Sequence, residues 1–99
     1  MMLSDQYEFI NRIAALPFVE AIYLFGSRAR GTHRLRSDID IAIYCPSASE
    51  AQWQDVLKII DEADTLLPID CVRLDAEPEF SPLKSAIENE KKVIYERAY

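Results

Sequence analysis

The spacing of apolar residues predicts a helix near the start of the chain, over residues 4–16. Ser4 is a typical helix N-cap residue, and Pro17 would end the helix. Between these two positions, apolar side chains recur every three or four residues, as on one face of a helix. The residues of this face are Phe9, Ile10, Ile13, Ala14 and Leu16.

Two β-rich runs follow, and each of them predicts a strand. Residues 19–25, VEAIYLF, end at Gly26 and predict a first strand. Residues 38–44, DIDIAIY, carry isoleucine at every second position and predict a second strand with its isoleucines on one face. Residues 27–36, between the two strands, are predicted to form a short helical turn and a loop.

A longer helix is predicted after the second strand. Pro46 ends that strand, and Ser49 and Gln52 have the spacing of a capping box, which marks the first turn of a helix. Apolar residues then recur at helical spacing and predict the buried stripe of this helix. The stripe consists of Trp53, Val56, Leu57, Ile60 and Ala63.

The last third of the chain predicts a strand, a helix and a short final strand. Residues 68–74, PIDCVRL, form the third strand, and residues 93–95 form the last one. Ser81 followed by Pro82 is an N-cap with proline at the first helical position, so a helix begins there. The residues of this helix that are expected to face inward are Leu83, Ala86 and Ile87.

These elements predict a single domain, residues 1–99, of the α/β (α+β) class, with helices packed on one small mixed sheet of about four strands. The long helix after the second strand is a suitable crossover, so the second and third strands are predicted to be parallel. The connection between the first and second strands has about ten residues, which is too short for a crossover. These two strands are therefore predicted to be antiparallel neighbours.

Three aspartates are predicted to meet at one end of this sheet. Strand geometry places Asp38 and Asp40 on the same face, roughly 6–7 Å apart, where like charges repel unless a cation lies between them. Asp70, near the start of the third strand, would lie beside them in a parallel pairing. Three carboxylates are suitable ligands for Mg²⁺ in phosphoryl transfer. The alternative interpretation of the pair alone is two ordinary acids at a solvent-facing strand end.

Both glycines of the chain lie in the segment GSRARG, which the topology places next to these carboxylates. Glycine at position 26 permits close approach of the backbone to a ligand. Ser27 offers a hydroxyl and a backbone N–H at the start of a short helix, and Arg28 and Arg30 are suited to neutralise phosphate oxygens. The alternatives are glycines that only serve a tight turn and arginines that pair with nearby acids.

The segment is not a P-loop, although its glycines have the spacing of one. Thr32 and His33 stand where a P-loop needs lysine followed by serine or threonine. Without that lysine, phosphate binding here must rest on the backbone, Ser27 and the arginines.

Composition and charge exclude several other classes of protein. The net charge of −6 argues against a general nucleic-acid-binding protein, whereas four arginines without an acid over residues 26–37 favour a small anionic ligand. No apolar run approaches the ~20 residues of a transmembrane helix, and no signal peptide is expected. Cys45 and Cys71 are too few for a disulfide framework or a zinc site and are interpreted as small core residues. We therefore expect a cytoplasmic protein.

The residues singled out above resemble a known family. Gly26-Ser27, ten further residues and Asp38-Ile-Asp40 match the G-S-x10-D-x-D signature of the nucleotidyltransferase superfamily that includes DNA polymerase beta. The fuller string GSRARG…SDIDIAIY resembles the minimal nucleotidyltransferases, and the resemblance covers nearly the whole chain. It implies that Asp38, Asp40 and Asp70 are catalytic ligands of Mg²⁺, with Asp70 also a candidate general base. It further implies that Gly26 and Ser27 bind the triphosphate of the nucleotide.

Two differences from relatives accompany this resemblance. Many relatives carry a glycine before the terminal strand, where this chain has Asn89-Glu90-Lys91, so Asn89 is expected to adopt the left-handed conformation of a helix cap. Larger members resemble this domain with a second domain that binds the base and the acceptor. The resemblance therefore implies that a partner or a second copy of the chain completes the site.

Minimal members are often encoded beside a helical HEPN protein, with which they form a toxin–antitoxin pair. The resemblance implies an antitoxin that transfers AMP from ATP to a tyrosine of a HEPN toxin, in a hetero-oligomer or, alone, as a homodimer. Neither a membrane nor a direct nucleic-acid partner is expected. The alternative is a non-catalytic antitoxin that masks its partner by contact. A small-molecule modifier, such as a fragment of an aminoglycoside nucleotidyltransferase, fits least because the acceptor domain is missing.

Overall fold

The computed structural model describes residues 8–32, 37–63 and 65–98. The predicted N-cap Ser4 and the loop residues 33–36 lie outside the described residues. In chain order the elements are α1 (Glu8–Ala14), β1 (Ala21–Phe25), α2 (Gly26–Arg30), β2 (Ile39–Tyr44), α3 (Glu50–Asp61), β3 (Ile69–Arg73), a 3-10 turn (Leu74–Ala76), α4 (Pro82–Glu90) and β4 (Lys92–Glu96). None of these helices is long and apolar enough to cross a membrane.

The four strands form one mixed sheet in the order β3-β2-β1-β4. β1 is antiparallel to both β2 and β4, and β2 is parallel to β3. Both predicted pairings and the fold class are confirmed. The parallel pair requires a crossover, and α3 provides it, because its residues lie between β2 and β3 in the chain.

The isoleucine face of the sheet carries the larger core. α1 and α3 pack on this face, and the alternation in β2 buries all three of its isoleucines completely. The predicted capping box of α3 is present: the Ser49 hydroxyl accepts from the Gln52 amide at 3.1 Å, and the Gln52 side chain accepts from the Ser49 amide at 2.8 Å. The buried residues of α3 are Val56 and Ile59, and the predicted stripe missed Ile59.

The opposite face carries a smaller core. This smaller core is formed by alternate residues of β1 and β2 together with Leu74 and Ile87. Ile87 is the one buried residue that α4 contributes to it. The prediction that Leu83 and Ala86 also face inward is wrong, because both are exposed, Leu83 to 38%. A helix of nine residues that touches the sheet along one row of side chains leaves the rest of its surface to solvent.

The end of α4 also differs from expectation. The helix continues to Glu90, and Lys91 is extended, with φ −61° and ψ 146°. No described residue other than glycine has a positive φ, so the prediction of a left-handed cap at Asn89 is wrong. The chain passes directly from α4 into β4, so the residue between them must be extended.

Candidate active site

The pairing of β2 with β3 brings two of the predicted aspartates side by side. Asp40 and Asp70 are partners in the parallel register, and side chains at paired positions share a face of the sheet. Asp38 precedes β2 by one residue and has the same parity as Asp40. The isoleucine face is sealed by helices, whereas these carboxylates lie on the other face, with Asp38 and Asp70 exposed and Asp40 partly buried.

The charges of the other two aspartates and of both arginines act on Asp40. Partial burial raises the pKa of Asp40 above its ordinary value, and the charges of Asp70 and Asp38 raise it further. Arg28 and Arg30 act in the opposite direction. The ionised form of Asp40 is therefore disfavoured by its surroundings, and a further positive charge at this position would relieve it.

Gly26 is required at this site for two independent reasons. Its φ is +72°, a conformation that residues with a side chain rarely adopt. In addition, a Cβ at this position would collide with the carboxylate of Asp40. The backbone of α2 therefore lies directly against the carboxylate, as a cradle for a ligand bound by both would require.

Gly31 differs from Gly26 in what it does. Its φ is +75°, and it ends α2 as a left-handed cap, but a Cβ here would meet nothing within 4 Å. The Thr32 amide then donates to the carbonyl oxygen of Ser27 at 2.9 Å, which closes the turn. Gly31 is needed only for the conformation of the turn. Gly26 is needed both for its backbone conformation and for the close approach of Asp40.

The two arginines of α2 have different partners. Nη2 of Arg28 donates to the carbonyl oxygen of Ser37 at 3.0 Å, and its Nε is buried with no hydrogen-bond partner. Arg30 forms an ion pair with Glu90 at the end of α4, at 2.8 Å, and about half of its side chain is exposed. Sequence reasoning identified both arginines but neither partner. No local pattern marks Ser37 or Glu90, and Glu90 lies 60 residues away from Arg30.

The donor chemistry of the aspartates fits a magnesium ion, because carboxylate oxygens are the ligands that Mg²⁺ prefers. Across residues 8–32, 37–63 and 65–98, however, no three Asp, Glu, His or Cys side chains are already arranged to hold a metal ion. The aspartates share one face and one electrostatic cluster without forming a ready-made cage. Such an arrangement fits an ion that one or two carboxylates hold together with the phosphates of a substrate.

The cysteines take no part in this site. Cys45 is fully buried in the core of the isoleucine face, and Cys71 packs against the same core. Burial raises the pKa of the Cys45 thiol to about 11 and that of the Cys71 thiol to about 12. Both thiols are free, and their packing in and against this core confirms their interpretation as core residues.

The sequence of residues 8–99 matches the family described as polymerase beta, nucleotidyltransferase. The chain belongs to this family. The match covers every element of the fold and all the aspartates and glycines of the site, so the resemblance seen in the sequence is confirmed. No curated protein sequence matches the chain significantly.

Solved structures share this nucleotidyltransferase fold. A toxin–antitoxin complex with AMP-PNP is 24% identical, with a TM-score of 0.65 over 91% of this chain and 69% of the other. A mutant of the toxin–antitoxin MntA-HpeT is 25% identical, with a TM-score of 0.65 over 98% and 75% of the two chains. A protein described as a putative nucleotidyltransferase from Sulfolobus solfataricus is 26% identical, with a TM-score of 0.59 over 91% and 76%.

Proposed function

We propose that this nucleotidyltransferase uses Mg²⁺ and transfers AMP from ATP to a hydroxyl of a partner toxin, and that it acts as the antitoxin of that partner. The observation that carries the proposal is the contact between the backbone of Gly26 and the carboxylate of Asp40, with Asp70 in register beside it. A phosphate-binding turn and metal-binding acids must meet in this way for a bound triphosphate to reach both.

Each residue of the cluster has a role in this reaction. Gly26 and Ser27 hold the triphosphate, and Arg28 and Arg30 add positive charge to this region, which favours a bound polyanion. Asp38, Asp40 and Asp70 provide the ligands for Mg²⁺, which when bound neutralises phosphate charge and acts as a Lewis acid. The acceptor oxygen forms a bond to the α-phosphorus, the bond to the bridging oxygen breaks, and pyrophosphate leaves. Asp70, the exposed member of the register pair, is suited to accept the proton of the acceptor hydroxyl.

The proposed acceptor is a tyrosine of a HEPN toxin. The similarity to structures of toxin–antitoxin complexes, one of them with AMP-PNP, supports a toxin as partner and ATP as substrate. The chain carries a net charge of −6 although the site itself is rich in arginine. An acidic surface of this kind suits docking to a basic, RNA-cutting protein.

The second candidate is an antitoxin that masks its partner by contact and transfers nothing. The net charge of −6, which suits docking to a basic partner, would serve this candidate equally well. The retention of the glycine turn beside the aspartates favours transfer, because masking by contact needs neither.

The deciding experiment combines the chain with its partner, Mg²⁺ and ATP labelled at the α-phosphate. We expect label on the partner, located at a tyrosine by mass spectrometry, and loss of the label in the double variant Asp38→Ala, Asp40→Ala. The matched control is Asp55→Ala with Asp61→Ala, which removes two exposed acids from α3 and should transfer normally. Full neutralisation of the toxin by the Asp38, Asp40 double variant would instead establish masking.

A further inference from the structure

Arg28 connects α2 to the chain segment that precedes the predicted metal ligands. Its Nη2 donates to the carbonyl oxygen of Ser37 at 3.0 Å, across nine residues of chain, and this bond is partly buried. Ser37 is followed directly by Asp38 and then by β2. A single side chain therefore joins the phosphate-binding turn to the start of the strand that carries the acids.

Two of the three guanidinium nitrogens of Arg28 are poorly placed for a triphosphate. Nε is buried and has no hydrogen-bond partner, so a phosphate that arrives from solvent cannot reach it without a movement of the side chain. Nη2 is already engaged by Ser37. Arg30 contrasts with this arrangement, because its guanidinium is half exposed and its partner Glu90 is itself at the surface. Surface pairs of this kind exchange partners at little cost.

We propose that Arg28 is a positioning residue that fixes Asp38 and Asp40 relative to Gly26 and Ser27, and that it does not donate hydrogen bonds to the triphosphate. The inference rests on the proposed function for its effect on catalysis, but its structural half stands on the Arg28–Ser37 hydrogen bond alone. A residue that acts in this way affects metal binding and turnover, whereas a phosphate ligand affects the affinity for ATP.

The structural half is tested by amide hydrogen exchange, which needs no activity. The Ile39 amide donates to the carbonyl oxygen of Pro68 at 2.9 Å and reports the attachment of the start of β2 to the neighbouring chain. We expect exchange of Ile39 in Arg28→Met to be at least about 10-fold faster than in the wild type, since the fixed start of the strand opens more often. Arg28→Lys keeps a charged donor for Ser37 and should exchange nearly as slowly as the wild type.

The functional half is tested by calorimetric titration with Mn²⁺ in the presence of AMP-PNP, followed by kinetics. In Arg28→Met we expect Mn²⁺ affinity and kcat to fall about 10-fold to 100-fold, as when a residue that orients metal ligands is removed, with KM for ATP changed less than about 3-fold. The control is Arg12→Met, which removes an arginine of α1 that pairs at 3.1 Å with Glu62, the residue that follows α3. Arg12→Met should leave the Mn²⁺ affinity, kcat and KM for ATP unchanged.

The outcomes separate this inference from the proposed function. If the wild-type chain transfers nothing, faster Ile39 exchange and weaker Mn²⁺ binding in Arg28→Met still support the positioning role. Unchanged Ile39 exchange, or unchanged Mn²⁺ affinity, overturns it. A KM for ATP raised about 10-fold in both Arg28→Met and Arg28→Lys, with kcat preserved, also overturns it and makes Arg28 a phosphate ligand.

Discussion

β2 meets an arginine at each of its ends. At its carboxyl end, Arg73 donates from Nε to Asp75 at 3.0 Å and from Nη2 to the carbonyl oxygens of Cys45 and Ala48 at 3.2 and 2.9 Å. At its amino end, Arg28 reaches the carbonyl oxygen of Ser37 and leaves a buried Nε without a partner. The carboxyl end therefore has a nearly complete set of polar contacts, and the amino end does not.

The carboxyl end contributes to the fold. Asp75 uses its second oxygen to accept from the Cys45 amide at 2.9 Å, and the guanidinium of Arg73 lies over the Trp53 ring at 5.8 Å. Arg73 and Asp75 are both mostly buried, with 17% and 12% of their side chains exposed. This network fastens the chain between β2 and α3, and two of the three guanidinium nitrogens of Arg73 are engaged within it.

The amino end carries the proposed site, at a cost in stability. Three aspartates share one face, the ionised form of Asp40 is disfavoured, and Gly26 adopts a conformation open to few residues. Polar groups whose interactions are incomplete in the free protein are typical of sites that a ligand completes. This contrast predicts that substitutions can affect one end of β2 without affecting the other end.

The largest expected effect is that of Asp40→Asn. Removing the negative charge should lower the rate of AMP transfer by about 100- to 1000-fold, because a ligand of the proposed Mg²⁺, which acts on transition-state charge, is lost. The same change should raise the melting temperature of the free protein, since Asp40 no longer carries a charge that its neighbours disfavour. Scanning fluorimetry without nucleotide and a radiolabel assay measure the two effects. A lower melting temperature in Asp40→Asn would contradict the contrast between the two ends.

Arg73→Met should affect stability where Arg28→Met affects function. Loss of the arginine leaves Asp75 mostly buried without its cation, which should cost about 2–4 kcal/mol of the free energy of unfolding. Transfer per folded molecule should remain near the wild-type rate, because the carboxyl end of β2 is remote from the aspartates. Urea denaturation measures the first quantity, and activity normalised to the folded fraction measures the second. A selective loss of activity with unchanged stability would exclude this division of roles.

Gly26→Ala and Gly31→Ala form a matched pair, because both glycines have a positive φ. Gly31→Ala should cost about 1 kcal/mol of stability from the backbone conformation alone, since a Cβ there meets open space. Gly26→Ala should cost about 2 kcal/mol more, because its Cβ also collides with the Asp40 carboxylate. Urea denaturation compares the two variants. Equal losses would show that Asp40 moves aside freely.

The last prediction is a pH dependence of stability from the Cys45 thiol at the carboxyl end. Its pKa in the folded protein is raised to about 11 from an ordinary value of 9.0, chiefly by burial and next by the charge of Asp75. Above the ordinary value the unfolded chain loses this proton first, so stability falls as pH rises from 9 towards 11. The loss should be about 1.4 kcal/mol per pH unit, measured as the difference in unfolding free energy between the wild type and Cys45→Ala. The prediction would be contradicted if the difference in unfolding free energy between the wild type and Cys45→Ala were the same at pH 8 and pH 10.

Local sequence patterns determined most of the elements of this protein. The alternation in DIDIAIY fixed β2 and its buried face, the spacing of Ser49 and Gln52 fixed the start of α3, and Ser81-Pro82 fixed the start of α4. The positions of the two glycines relative to the aspartates pointed to the site and the family. These features depend on residues a few positions apart, which obey the same geometry in any protein.

Only the tertiary structure decided which residues meet across long separations. The prediction that α4 buries Leu83 and Ala86 was wrong, because the direction in which a short helix crosses a sheet is set by packing and not by its own period. The partners of Arg28 and Arg30, and the contact of Gly26 with the Asp40 carboxylate, likewise required the folded chain. Each depends on distances between separate elements, and those distances follow from how the whole core packs.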